Sequence, residues 1–146
     1  MGTPTAATPT SAASEAWLLM SRLLQENRGA FFAACAEESL SPPQVTALRL
    51  LEPGVPTPMS DLAGLMHCDN SNVTGIVDRL EARGLVTRRP ATHDRRIKHL
   101  LVTDEGAATR ARLVEQMSEP PEAILRLSAA EQRQLRDLLR KAAGPA

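Results

Sequence analysis

A cluster of basic side chains in the middle of the sequence is the feature best suited to bind another molecule. Residues 79–98 contain seven basic residues and two acidic ones, Glu81 and Asp94, for a local net charge of +5, which falls to +4 if Asp78 is included. Arginine can grip a phosphate or a base edge through two parallel hydrogen bonds. The cluster therefore predicts contact with a nucleic acid, and a solvated face of ordinary ion pairs is the alternative. Its members are Arg79, Arg83, Arg88, Arg89, Arg95, Arg96 and Lys98.

The charge of the whole chain conceals this cluster. The 146 residues include 17 basic and 17 acidic ones, so the formal net charge is zero. An apolar content of 42% can form a core, but with two Phe, one Trp and no Tyr that core must be largely aliphatic. The length allows one domain, or one domain with dimerisation arms.

A helix–turn–helix is predicted directly before the basic cluster. Asp69 is suited to cap a helix over residues 70–83, and Gly84 is suited to end it. A shorter helix around Ala63, a side chain small enough for close helix approach, precedes it, and the turn lies at Met66–Asp69.

Short hydrogen-bonding side chains begin the second of these helices. In a helix–turn–helix, the first residues of the second helix reach base edges in the major groove. Capping and ordinary solvation are their alternative roles. The residues at these positions are Asn70, Ser71, Asn72 and Thr74.

Two short strands follow, at Leu85–Arg89 and Ile97–Val102, with a polar turn at Pro90–Arg96. A two-stranded hairpin is marginal alone, so it must pack against the helices. The proline-rich residues 53–58 are expected to form a loop.

Amphipathic helices are expected towards both ends of the chain. One runs from Ser14, as N-cap, to about Ser39, and the last two cover residues 103–118 and the segment after Ser128. Residues 1–13, rich in Thr, Ala, Pro and Ser, predict a disordered arm. So long an apolar stripe on so small a domain needs a partner to cover it. The stripe of the first helix contains Trp17, Met20, Leu24, Phe31 and Cys35.

The sequence lacks the common catalytic signatures. It has no phosphate-binding loop, dinucleotide fingerprint, zinc-protease motif or nucleophile elbow. Two cysteines cannot form a disulfide framework or a cysteine-rich zinc site, and the three histidines do not have metal-ligand spacing. We expect no catalytic residues, metal or cofactor. With no signal peptide and no membrane-spanning run, a cytoplasmic protein is expected.

Two segments carry a resemblance to a known family. Residues 69–86, DNSNVTGIVDRLEARGLV, with Thr87–Arg89, and residues 93–106, HDRRIKHLLVTDEG, resemble the multiple-antibiotic-resistance regulator (MarR) family. The resemblance extends from about Leu40 to Leu113 and includes the order of the elements on both sides.

The resemblance implies a mainly α fold with a small β wing, that is, a winged helix–turn–helix with N- and C-terminal dimerisation helices. The single MarR-like domain would span residues 14–146. Residues 14–39 and 103–146 would form the dimerisation helices, and residues 41–102 the DNA-binding lobe.

The resemblance also assigns roles within the basic cluster. Asp94 would steady Arg96 as it enters the minor groove, where A·T-rich sequence concentrates negative potential. Arg95 is the neighbouring candidate, and the choice between the two stays open. Arg79 would contact phosphate or link the helix to the wing. Phosphate contacts are expected from Arg83, Arg88, Arg89 and Lys98.

The implied function is that of a sequence-specific, dimeric DNA-binding transcriptional regulator, a repressor released by a small-molecule ligand. Its partners would be double-stranded DNA with an imperfect inverted repeat, a second copy of the chain and a small aromatic effector, with no membrane. The few aromatic residues, Trp17, Phe31 and Phe32, all lie in the first helix, and dimer packing is the expected role of Trp17 and Phe31. The alternatives are a protein-interaction module and a redox-sensing regulator that uses Cys35.

Overall fold

The computed structural model of the chain describes residues 11–144, which form helices and a small antiparallel sheet. This confirms the mainly α fold with a β wing. In chain order the elements are α1 (Ala12–Glu26), α2 (Arg28–Glu37), α3 (Pro42–Leu50), β1 (Thr57–Pro58), α4 (Met59–Met66), α5 (Asn70–Ala82), β2 (Val86–Pro90), β3 (Lys98–Val102), α6 (Asp104–Ser118), α7 (Glu122–Leu125) and α8 (Ala129–Ala143).

The chain divides into two compact units. The central unit is Ala30–Glu119, and the terminal unit consists of the described residues of Met1–Gly29 and Pro120–Ala146. None of the described helices is both long enough and apolar enough to span a bilayer.

The core of the central unit is aliphatic, as the composition predicted. Leucine and valine side chains from α3, α4, α5, the sheet and α6 are fully buried there. Burial of such side chains supplies about 1.5–3 kcal/mol each, so this cluster holds the helices against the sheet. Its largest members are Leu48, Leu51, Leu62, Leu80, Leu100 and Leu113.

The sheet has three strands in the order β1-β3-β2. Pairs such as Arg88↔Leu100 define the predicted hairpin, although β2 starts one residue later than expected and ends at Pro90. The expectation of a plain loop at residues 53–58 was wrong, because Thr57 and Pro58 pair with β3. The wing is therefore anchored on both sides of its central strand.

The helix–turn–helix is formed by α4 and α5. Its turn lacks glycine, and His67 takes the left-handed conformation there, at φ 51°. The N–H of Cys68 donates to the carbonyl of Ala63 at 3.1 Å, which closes the end of α4. Gly84, at φ 69°, ends α5 in the same way, with Leu85 N donating to Leu80 O at 3.0 Å.

The start of α6 packs directly on the residues that lead into β2. Thr103 Oγ1 accepts from Gly106 N at 3.0 Å and donates to Gly84 O at 2.6 Å. Thr103 N also donates to Leu85 O at 3.1 Å. A Cβ on Gly106 would lie 1.9 Å from the Leu85 carbonyl oxygen, so only glycine permits this approach.

The first predicted helix is in fact two helices. The first helix ends before Asn27, and a second begins at Arg28. The backbone N–H and the side-chain Nδ2 of Asn27 both donate to Leu23 O, at 3.2 Å and 2.8 Å. The N-cap is Ser11 rather than Ser14, and Ser14 N donates to its hydroxyl at 3.2 Å. Ala12 and Ala13 are therefore helical, and residues 1–10 of the predicted arm lie outside the described residues.

The last helix, α8, begins where the sequence predicted. Ser128 N donates to Glu131 Oε2 at 2.8 Å, and Glu131 N donates back to Ser128 Oγ at 3.4 Å. Hydrogen bonds from the Ser128 side chain and backbone lower the pKa of Glu131. The capping box therefore fixes the start of α8 after the short α7.

Candidate nucleic-acid interface

The polar side chains at the start of α5 lie together on an exposed face. Asn70, Ser71, Asn72 and Thr74 are all exposed, while Val73 on the opposite face is completely buried. Thr74 Oγ1 donates to Asn70 O at 2.8 Å, which leaves the lone pairs of the hydroxyl free to accept. The arrangement presents donors and acceptors of the kind that can read base edges.

Asp69 occupies the N-cap position of α5, but its side chain makes no capping hydrogen bond. Its backbone carbonyl accepts instead, from Asn72 N at 3.0 Å and Val73 N at 3.2 Å. The exposed carboxylate thus lies at the positive end of the helix.

The tip of the wing is a turn held together by backbone groups. Ala91 N donates to Ile97 O at 2.9 Å, and Ile97 N donates to Asp94 O at 3.1 Å. The Asp94 carboxylate accepts from the backbone N–H of Arg96 at 2.9 Å. Asp94 therefore shapes the turn, and both Arg95 and Arg96 keep exposed side chains.

Five of the predicted cations are exposed, and within the described residues their side chains form neither a salt bridge nor a hydrogen bond. Two lie at the wing tip, two on the wing strands and one on α5. Such side chains can contact phosphates without first breaking an ion pair. They are Arg79, Arg89, Arg95, Arg96 and Lys98.

Arg79 also borders a shallow cleft between α5 and the start of α3. The cleft has a volume of about 260 Å³ and is lined mainly by polar groups, including Ser41, Gln44 and Asn72. Gln44 Oε1 accepts from Ser41 N at 3.0 Å, so this side-chain oxygen is used to cap the start of α3.

Arg83 is also exposed, but its guanidinium is hydrogen-bonded to the backbone. Its Nη1 donates to Glu38 O at 2.8 Å and to Ser39 O at 2.6 Å. The Glu38 carboxylate in turn accepts two hydrogen bonds from Arg112, at 2.7 Å and 3.0 Å. Hydrogen bonding to Arg112 lowers the pKa of Glu38, although burial of the carboxylate opposes this. These contacts join the ends of α2 and α5 to α6.

Arg88 is also engaged inside the protein. Its Nη1 lies 2.6 Å from Glu81 Oε2 and its Nη2 lies 2.6 Å from Asp78 Oδ1. Partial burial lowers the pKa of Arg88, but hydrogen bonds and charge from the two carboxylates raise it overall. Counting charges along the sequence missed this link. The signal available was the spacing of Asp78 and Glu81, which puts both on one face of α5.

Among the described residues, the cysteines and histidines do not form a metal site. Cys35 is buried in the core, and burial raises the pKa of its thiol. The Cys68 thiol donates to Met66 O at 3.3 Å. The rings of His93 and His99 lie 6.4 Å apart, and within residues 11–144 no three candidate ligands come together to hold a metal.

The aromatic residues lie on α1 and α2. Trp17 is 64% exposed in the single chain. Phe31 packs partly against the core, and its ring contacts that of Phe32 edge-on, with centroids 5.6 Å apart.

Sequence comparison identifies relatives that share this region. The MarR family profile matches residues 40–98. The chain is 31% identical over 93 residues to the HTH-type transcriptional repressor MdtR of Bacillus subtilis, covering 64% of this chain and 60% of MdtR. It is 32% identical over 115 residues to the uncharacterised HTH-type transcriptional regulator YdgJ of the same species, covering 76% of this chain and 67% of YdgJ. The match spans about half to three fifths of the length of several curated relatives.

Solved structures share the fold. Apo MarR from E. coli superimposes with a TM-score of 0.75 at 22% identity, covering 88% of this chain and 96% of MarR. BpsR from Bordetella bronchiseptica, whose DNA binding is regulated by 6-hydroxynicotinic acid, gives 0.68 at 23% identity over 95% of this chain and the whole of BpsR. Taken with the sequence relatives and the winged helix–turn–helix described above, these matches show that the chain belongs to the MarR family of helix–turn–helix transcriptional regulators.

Proposed function

We propose that this protein is a sequence-specific DNA-binding transcriptional regulator that acts as a homodimer. The observation that carries the proposal is the pairing of two exposed surfaces in the central unit. One is the polar start of α5, and the other is the wing with its unpaired arginines. The first suits base edges in the major groove, and the second suits phosphates and a narrow minor groove.

The roles of the individual side chains follow from their exposure. Asn70, Ser71, Asn72 and Thr74 read bases. Arg79, Arg89 and Lys98 bind phosphates, and Arg95 or Arg96 enters the minor groove. Asp94 holds the wing turn through the backbone N–H of Arg96, which fixes where both arginine side chains begin.

A second copy of the chain is the proposed cover for the apolar side chains of the terminal unit. Trp17 and Leu24 on α1 are 64% and 66% exposed, and Leu138 on α8 is 65% exposed. Several large apolar side chains exposed on one small unit are typical of a protein interface. A two-fold dimer would present two α5 helices about one DNA turn, roughly 10 bp, apart, so the target should be an imperfect inverted repeat.

The proposed mode of regulation is repression relieved by a small aromatic ligand. A ligand that changes the separation of the two α5 helices would weaken DNA binding without touching DNA. The regulation of BpsR by 6-hydroxynicotinic acid supports this class of effector. The buried position of Cys35 favours a packing role over redox sensing.

The direct test is DNA affinity measured by fluorescence anisotropy. The probe is a dyad-symmetric duplex from the DNA flanking the coding region, and a scrambled duplex is the reference. Arg96→Ala or Arg95→Ala should weaken binding by about 1–3 kcal/mol, or about 5- to 150-fold. Arg49→Ala, an exposed cation at the far end of α3 from the cleft, should bind as the wild type does.

Two further results bear on the proposal. Asn72→Ala should relax preference at one base pair, whereas equal weakening on every duplex would make Asn72 a backbone contact. If the wild-type protein binds no duplex at physiological salt, or stays monomeric at micromolar concentration, the proposed function is wrong.

A further inference from the structure

Arg88 bonds to three residues along one face of α5. Besides the ion pairs with Asp78 and Glu81, Nη2 lies 3.4 Å from Thr74 O, and the backbone N–H of Arg88 donates to Glu81 Oε1 at 3.2 Å. Thr74, Asp78 and Glu81 follow one another at helical spacings of four and three residues, so one side chain from the wing spans two turns of the helix.

These contacts occupy the guanidinium that charge counting would offer to DNA. The Arg88 side chain is only 22% exposed, and both of its terminal nitrogens lie 2.6 Å from carboxylate oxygens. To bind a phosphate, Arg88 would have to leave two ion pairs and expose two negative charges beside the DNA. The exposed neighbour Arg89 faces no such penalty.

Arg88 links the wing to α5 at a point beyond their covalent junction. The chain passes from α5 to β2 through Arg83, Gly84 and the buried Leu85, so α5 and the wing are joined covalently at the start of β2. The buried side chains of Val86 and Leu100 already hold the base of the wing in the core. Arg88 adds an attachment through its side chain to Asp78 and Glu81 of α5, which limits rotation of the wing about these buried contacts.

We propose that Arg88, held by Asp78 and Glu81, is a positioning residue that sets the angle between α5 and the wing, so that major-groove and minor-groove contacts fall on the same DNA site. The inference rests on the proposed function, since the angle matters only if both surfaces bind one duplex. Arg88 acts through α5 and the wing and makes no phosphate contact itself.

The double variant Asp78→Asn, Glu81→Gln tests the sign of the effect. It removes two negative charges from the central unit, so charge alone predicts tighter DNA binding. If Arg88 bound phosphate, the loss of its two ion pairs would free it to do so, and this too would tighten binding. A positioning role predicts weaker binding to the specific duplex, by about 10-fold or more, with binding to the scrambled duplex unchanged or tighter. Tighter binding to the specific duplex would overturn the proposal.

The salt dependence of binding also distinguishes a positioning role for Arg88 from a phosphate contact. Loss of one phosphate contact reduces the slope of log K against log salt by about 0.9. Arg88→Ala should weaken specific binding and leave the slope on nonspecific DNA unchanged. The matched control, Arg89→Ala, should reduce that slope by about 0.9. A reduced slope for Arg88→Ala would show that Arg88 contacts phosphate.

The conservative variant Arg88→Lys completes the test. Lysine keeps the charge but cannot bridge two carboxylates with one planar group. We expect Arg88→Lys to remain defective on the specific duplex, and wild-type affinity in this variant would contradict the proposal. Hydroxyl-radical footprints of Arg88→Ala should lose minor-groove protection by the wing while keeping protection at the α5 contacts. Loss of both to the same extent would indicate general damage and count against the proposal.

The outcomes for the two proposals are distinguishable. Absence of DNA binding by the wild-type protein rejects the proposed function. Sequence-specific binding by the wild type, combined with phosphate-contact behaviour of Arg88→Ala, rejects only the positioning role. Far-UV circular dichroism of each variant checks the helical content, and the single variants Asp78→Asn and Glu81→Gln should each show part of the defect.

Discussion

Replacing Gly106 by alanine should destabilise the protein because the start of α6 lies against the backbone of Leu85. The added Cβ would sit 1.9 Å from the Leu85 carbonyl oxygen and 2.9 Å from Val102 Cγ1. A backbone oxygen cannot rotate away, so α6 must withdraw by more than about 1 Å to restore a normal contact. That withdrawal would also stretch the hydrogen bond from Thr103 N to Leu85 O.

The expected loss of stability has two sources, the clash of the added Cβ and the stretched hydrogen bond. Overpacking at a rigid site costs about 1–3 kcal/mol, and weakening a buried backbone hydrogen bond costs about 1 kcal/mol. We therefore expect Gly106→Ala to lower the free energy of unfolding by about 2–4 kcal/mol. This is a large part of the roughly 5–15 kcal/mol that stabilises an ordinary domain. The assay is urea unfolding followed by circular dichroism at fixed protein concentration, compared at equal m-value.

Gly64 is the matched control for this experiment. It also lies within a helix, α4, but an added Cβ there would meet no atom within 4 Å. Gly64→Ala should stabilise the protein by about 0.5–1 kcal/mol, because alanine loses less conformational freedom on folding. The two substitutions should thus have opposite signs. Equal stability of Gly106→Ala and the wild type would refute the close approach of α6 to Leu85.

Three further predictions concern acid stability, thiol reactivity and the wing. The lowered pKa of Glu38 means that its ion pair with Arg112 stabilises the fold above the ordinary glutamate pKa and is lost as pH falls through the lower folded value. Stability of Glu38→Gln should therefore depend less on pH between about 5 and 3 than stability of the wild type. Cys68 should react with Ellman's reagent in the native protein, whereas Cys35 should react only on unfolding. Asp94→Ala should weaken DNA binding by about 2- to 10-fold, while Asp94→Asn, which still accepts a hydrogen bond, should retain affinity.

The helix–turn–helix and wing could be predicted from the sequence because local signals mark their ends. Asp69 and Gly84 bracket α5, and the predicted range of 70–83 exceeds the observed helix by one residue. Thr103 marks the start of α6, where its hydroxyl accepts from Gly106 N. Gly84 and Thr103 act through their own backbone or side chain, so one sequence suffices for them. Asp69 marks the start of α5 correctly, although its side chain makes no capping hydrogen bond.

The features that were missed depend on partners distant in the chain. Strand β1 has two residues, one of them proline, and only its pairing with β3 makes it a strand. The apolar stripe predicted one continuous helix, but the helix ends at Asn27. The stripe could not show this, because its periodicity indicates which side chains are buried and does not show whether the backbone stays helical.

The engagement of Arg88 shows the same limit for the candidate site. The sequence placed its positive charge next to Asp78 and Glu81, but could not show which of seven basic residues they bind. Which side chains contact DNA stays a prediction. The structure supports the prediction by separating exposed, unpaired cations such as Arg95 and Arg96 from engaged ones such as Arg88.

The small sheet has two outer strands, and proline lies on both. Pro58 of β1 and Pro90 of β2 stand opposite His99 and Lys98, the first residues of the central strand. Unpaired strand edges are templates on which further chains can add and aggregate, and proline has no N–H to offer an incoming strand. The hairpin can thus project its charged tip into solvent at high protein concentration without seeding growth of a sheet from one molecule to the next.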